Sequence, residues 1–118
     1  MNFRAGTVRI VEEDGVTILA LGNGGETPTV GVILSISEDS EEQDRKLGID
    51  GIHFECIAPS CSGYRIVSGL SLNDKWIKIG LREHQPDIGD SIEIELQDQS
   101  LDRSILEHTV EKMTAHVF

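Results

Sequence analysis

The sequence predicts an α+β fold: a single β-rich domain over residues 1–118, with about seven strands in a mostly antiparallel sheet, a short internal helix and a C-terminal helix packed on the sheet. Three observations carry this. Most apolar residues recur with period two in runs separated by short turn signals, as strands joined by hairpins require. The period changes to that of a helix only at the C-terminal end. The length, 118 residues, suits one domain that buries about two-thirds of its extended surface, so the fold needs no disulfide or metal.

Phe3 to Ile10 reads as a first strand. Its alternation is disturbed at Gly6, since Phe3 and Ala5 precede it and Val8 and Ile10 follow on the opposite parity, which implies a bulge or a change of face. Glu12-Glu13-Asp14-Gly15 makes a turn. Val16 to Leu21 is apolar on both faces, which suits a strand covered on two sides. Gly22-Asn23-Gly24-Gly25 must then be a loop, because these residues favour positive φ. A glycine-rich loop after a strand suggests a phosphate cradle, but no Walker lysine or GxGxxG spacing is present, and Pro28 and another strand follow instead of a helix. That strand, Val30 to Ser37, sets Val30, Val32, Leu34 and Ile36 on one face.

Farther along, Tyr64 to Leu72 is expected to turn Tyr64, Ile66, Leu70 and Leu72 inward with Ser68 in register, and Asn73-Asp74 supplies a turn. Lys75 to Leu81 places Ile77, Ile79 and Leu81 on one side and Trp76 and Lys78 on the other. Trp76 is expected to lie under a helix, the other reading being an exposed interface anchor. Glu83 to Asp90 is a polar connection broken by Pro86 and Gly89. Ser91 to Gln97 alternates cleanly, Ile92, Ile94 and Leu96 against Glu93, Glu95 and Gln97. Leu101, Ile105, Leu106, Thr109, Val110 and Met113 then recur at helical spacing, with Asp98 or Ser100 available as N-cap.

Ten Lys and Arg stand against 21 Asp and Glu, a formal net charge of −11. Such a surface argues against direct nucleic-acid binding, which requires cations to neutralise phosphates. No signal-type leader is evident and no run approaches the roughly 18 apolar residues of a membrane span, so a soluble, unsecreted protein with no membrane partner is expected. Cys56 and Cys61 are then expected as reduced thiols, able to close a small loop only in an oxidising compartment.

The segment from Glu38 to Tyr64 is the most informative. Ser40 can cap a short helix with Glu41, Glu42 and Asp44 in its first turn, Arg45 and Lys46 in its last and Gly48 as its stop. The pairs Glu41 with Arg45 and Glu42 with Lys46 add local support, so the helix is explained without any partner. Ile52 to Cys56 alternates, directing Ile52, Phe54 and Cys56 inward and His53 and Glu55 outward. His53 and Glu55 could form an acid–base pair and His53 with the cysteines a metal site, but Cys56 faces away from His53 and the spacing lacks the paired ligands of zinc sites. His84, His108 and His116 have no partner motif. No catalytic, cofactor-binding or metal residue is assigned, and no cofactor is expected.

The run Glu42-Gln43-Asp44, then Leu47-Gly48, Asp50, Glu55 and Gly63-Tyr64 leading into a strand, resembles the immunity protein 10 family of bacterial polymorphic toxin and contact-dependent inhibition systems. In that family a strand like Val30 to Ser37 leads into an acidic Glu-Gln-Asp helix, followed by a Gly-x-Asp turn and a strand ending in Glu. The likeness covers roughly Val30 to Met113. Members tend to carry a polar residue and Tyr-Gly-Gly where this chain has Ser62-Gly63-Tyr64-Arg65-Ile66. The resemblance implies a small cytoplasmic protein, not an enzyme, that binds and blocks a cognate toxin domain. An acidic inhibitor suits a toxin with a basic active-site surface, such as a nuclease. The contact face is then expected at Glu38, Asp39, Glu41, Glu42, Asp44, Asp50, His53 and Glu55. The alternatives are a generic ligand-binding or subunit-interaction module and a small hydrolase; the oligomeric state is left open.

Overall fold

The structure, a computed structural model, describes residues 1–24, 29–37, 51–97 and 102–117. Nine strands form two sheets: β1 (Asn2–Ala5), β2 (Thr7–Glu13), β3 (Val16–Gly22), β4 (Gly31–Ser37), β5 (His53–Ile57), β6 (Cys61–Tyr64), β7 (Val67–Asn73), β8 (Trp76–Gln85) and β9 (Gly89–Leu96). One sheet has the order β1-β9-β8-β7 and the other β2-β3-β4-β5-β6. All neighbours are antiparallel except β1, which runs parallel to β9. A helix, α1 (Arg103–Thr114), follows. The expected short helix between Ser40 and Gly48 lies outside the described residues.

The two additional strands have a common origin. The run Phe3 to Ile10 divides at Gly6 because the chain leaves one sheet there and enters the other. Phe3 and Ala5 face inward from the first sheet and Val8 and Ile10 from the second, which accounts for the change in parity. A Cβ on Gly6 would stand 3.3 Å from the backbone of both Asn23 and Gly24, so the crossing passes closely under the β3–β4 loop. The run Tyr64 to Leu72 divides in the same way at Arg65, whose φ of 60° turns the chain from β6 into β7. Tyr64 is therefore not inward but 39% exposed, and the buried residue is Val67, not Ser68. A register irregularity between Val67 and Gly69 then brings Leu70 to the inner face.

The hairpins follow local chemistry. Asp14 and Gly15, both at positive φ, join β2 to β3 as a two-residue turn, the form that matches strand twist. Asn23 closes the β3–β4 loop: its Oδ1 accepts from the Thr29 and Val30 backbone N–H groups, and its Nδ2 donates to Thr29 Oγ1. The polar stretch from Glu83 to Asp90 is mostly strand rather than connection. β8 and β9 extend into it until Gln85 faces Gly89, and Ile88 in the turn is 3% exposed.

Inward rows from both sheets and α1 form one apolar cluster, with Phe54, Leu19, Leu34, Ile77, Ile79, Ile92, Ile94, Leu106 and Met113 fully enclosed. The cap of α1 is Asp102, whose carboxylate accepts from the Ser104 and Ile105 N–H groups; the expected caps Asp98 and Ser100 lie outside the described residues. The helix buries Leu106, Thr109, Val110 and Met113, while Ile105 is exposed. It lies along β7, where Thr114 Oγ1 donates to the Leu70 carbonyl and the Arg103 guanidinium to that of Asp74. It also reaches the other sheet, Lys112 Nζ donating to Thr17 Oγ1 at 3.1 Å and approaching Glu12 at 3.6 Å. Because α1 covers this edge, Trp76, on the outer face of β8, is not under it as expected but 39% exposed.

Two stability predictions follow from this packing. Phe54→Ala, which empties the centre of the β4–β5 pair, is expected to cost about 3–5 kcal/mol, and Asp102→Ala about 1 kcal/mol through loss of the cap; urea unfolding followed by circular dichroism measures both.

Candidate functional site

The two sheets present different outer faces. On the first, Arg4, Glu95, Trp76 and Asn73 lie in one cross-strand row and Asn2, Glu93, Lys78 and Ser71 in the next. Glu95 is flanked there by Arg4 at 3.9 Å and Lys75 at 3.6 Å. Apart from Trp76 this is the alternating, solvated face expected of a half-buried sheet.

The second sheet departs from that pattern. Val11, Ile18, Ser35, His53 and Tyr64 form a row across all five strands, and Arg9, Ala20, Ile33, Glu55 and Ser62 form the next. Ile57 stands beyond them, opposite Gly31. Among the described residues five large apolar side chains are exposed, and Val11, Ile57 and Tyr64 all belong to this face. Ile18, Ala20 and Ile33 between them are half-buried, so β3 is apolar on both faces, as expected, with its outer side only partly shielded. A sheet face with an aromatic, aliphatic centre and few charges has the make-up of an interface core.

His53 and Glu55 lie on this outer face, as their alternation requires. Ile52, Phe54 and Cys56 are 3%, 0% and 2% exposed, whereas His53 is half-buried and Glu55 exposed. The His53 ring meets Tyr64 edge to face, with centroids 4.9 Å apart. Cys56 is on the other side of the sheet, so the strand separates the thiol from the imidazole. Among the described residues no three His, Cys, Asp or Glu side chains converge on a metal position. His84 pairs with Asp90 at 2.9 Å on the exposed β8–β9 hairpin, and His116 Nδ1 lies 3.1 Å from the Lys112 carbonyl.

The remaining expected contact residues, Glu38, Asp39, Glu41, Glu42, Asp44 and Asp50, lie outside the described residues, as do Gln43, Leu47 and Gly48. Their place in the chain is nevertheless fixed at both ends: Ser37 ends β4 and Gly51 precedes β5, next to the Ser35–His53 pair. Sequence reading missed Val11, Ile33, Ile57 and Tyr64 as members of this face. The two-sided apolar character of Val16 to Leu21 was the available signal.

The family model of immunity protein 10 matches residues 3–104. The chain belongs to that family. The match takes in β1 to β3 as well as the motif-bearing segment, so the N-terminal third carries family character that its individual residues do not reveal. It ends within the first turn of α1, short of Met113. Membership in the immunity protein 10 family makes the chain an immunity protein directed against a toxin, a role of binding and inhibition. No curated protein matches the chain significantly. No helix among the described residues is long and apolar enough to cross a membrane.

The His53–Tyr64 contact is open to direct measurement. A double-mutant cycle with His53→Ala and Tyr64→Ala is expected to give a coupling energy of about 0.5–1 kcal/mol, the usual range for cross-strand aromatic pairs.

Proposed function

We propose that this immunity protein acts in the cytoplasm, by direct association with its cognate toxin domain, and that the outer face of the β2–β6 sheet is the docking surface. The observation that carries the proposal is the row Val11, Ile18, Ser35, His53 and Tyr64, an apolar and aromatic strip left open in a protein whose role is to bind. Glu55 sits in the adjacent row, and the acidic run Glu38, Asp39, Glu41, Glu42, Asp44 and Asp50 enters and leaves the described fold at the end of β4 and the start of β5. That run holds six of the 21 acidic residues against only Arg45 and Lys46. The proposed occupant is therefore a toxin domain with a basic surface around an apolar contact, the surface a nuclease presents to its substrate. Complementary charge speeds encounter, and the desolvated centre holds the complex.

Co-expression with the toxin domain encoded beside the gene is expected to restore growth, and the two proteins to co-purify without turnover. Tyr64→Ala, which shortens the strip, and Ile33→Asp, which puts a charge in the adjacent row of the same face, are expected to weaken binding by about tenfold or more, whereas Trp76→Ala on the opposite face leaves it unchanged. Unchanged affinity in the first two variants, with folding intact, would discard this face. Converting Glu41, Glu42 and Asp44 together to lysine is expected to slow association and flatten its dependence on salt, measured by stopped-flow binding at several ionic strengths.

A further inference from the structure

We propose that Cys56 and Cys61 are a dithiol–disulfide pair that oxidises within the folded protein, making the β5–β6 hairpin a site of reversible covalent modification. Both cysteines are free thiols. They are direct cross-strand partners, the pair nearest the β5–β6 turn. Facing residues of an antiparallel ladder have Cα atoms about 4.5–5.5 Å apart, inside the span of about 4.4–6.8 Å that a disulfide bridges. Direct opposition also places both side chains on the same side of the sheet: Cys56 is in the core and Cys61 packs against it. Burial raises the Cys56 thiol above its usual range, and the facing Cys61 adds to the effect, as two thiols in close apposition must.

The differing exposure sets the order of events. Cys56 is 2% exposed while Cys61 is only partly covered, its Sγ 3.6 Å from Gln85 Oε1. A low-molecular-weight disulfide can therefore reach Cys61 but not Cys56. The Cys61 thiolate attacks one sulfur of the reagent, forming a mixed disulfide and expelling one reagent thiolate. The expelled reagent thiolate takes up the Cys56 proton, and the Cys56 thiolate attacks the Cys61 sulfur, forming the Cys56–Cys61 bond and expelling the second reagent thiolate, which is protonated from solvent. Two protein thiols are oxidised and one reagent disulfide is reduced to two thiols, so electrons and protons balance. The bond would tie β6, an edge strand of four residues that among the described residues pairs with β5 alone, to the sheet and fix Tyr64 against His53 on the outer face. In a reducing compartment the same pair remains as thiols.

The test uses the purified folded chain in buffers of graded reduced-to-oxidised glutathione ratio, with free thiols alkylated and intact mass measured. The expected result is joint loss of both thiols in one transition, with loss of two hydrogens and no lasting glutathione adduct. Cys56→Ala is expected to leave a stable glutathione adduct on Cys61, and Cys61→Ala to leave Cys56 unmodified unless denaturant is added. A persistent adduct on the wild-type chain, a disulfide between two chains, or thiols that stay alkylatable in the most oxidising buffer would overturn the proposal. The wild-type mass change decides the matter even if the buried substitution prevents folding.

Discussion

The structure depends on the chain changing sheet twice, at Gly6 and at Arg65. Without the first change, β1 could not pair with β9, and Ala5, which is fully buried, would have no place in the first sheet. Without the second, β6 and β7 would continue as one strand and the two sheets would lose their connection through the middle of the sequence. Each crossing has its own local geometry. Gly6 passes too near Asn23 and Gly24 for a side chain to be comfortable, and Arg65 adopts a left-handed conformation that breaks the ladder. Opposed inner faces are the consequence, and only then do the period-two rows of both sheets meet in one core.

This explains which parts of the fold were legible in sequence. Alternation identifies the inner and outer sides of a strand, so the assignments at Phe54, Cys56, Ile77, Ile92 and Ile94 agree with the structure. It carries no information about which sheet a strand joins. Phe3 to Ile10 and Tyr64 to Leu72 each read as one strand for that reason, and the inward expectation for Tyr64 fails because the parity rule was carried across a crossing. The expectation that Trp76 lies under a helix fails for a related reason. The stripe of α1 shows that it must be buried but not against which surface, and the structure lays it along β7 and into the common core. The candidate site was legible at His53 and Glu55, which a single strand presents. Val11, Ile33 and Tyr64 join them only through pairing across four or five strands, which no local pattern encodes.

The contrast between the two outer faces is the strongest physical indication of where a partner would bind. A solvated sheet face tolerates a single exposed aromatic such as Trp76 when charged neighbours surround it, as Arg4, Lys75, Lys78, Glu93 and Glu95 do. On the other sheet the charges of the central rows are confined to Arg9 on the edge strand β2 and Glu55 on β5, separated by Ala20 and Ile33. Neighbouring exposed apolar side chains on one sheet face, here Val11, Ile57 and Tyr64, are a mark of interaction surfaces. The net charge of −11 opposes self-association of the free protein, and in the proposed complex it would favour a cationic partner.

Separating these roles gives the immunity function a physical form. Long-range charge governs how often two proteins meet, and it fades over about 8 Å at physiological salt. The contact that excludes water governs how long they stay together. A toxin inhibitor needs both, because the toxin must be captured before it acts and held thereafter. In the proposed complex the acidic segment between β4 and β5 and the apolar strip on the sheet those strands belong to would divide the task. Tyr64 belongs to the strip through a four-residue edge strand, the least supported of the second sheet. The conformation of that strand, and with it the durability of the proposed complex, is therefore where a covalent tie between Cys56 and Cys61 would have its greatest effect.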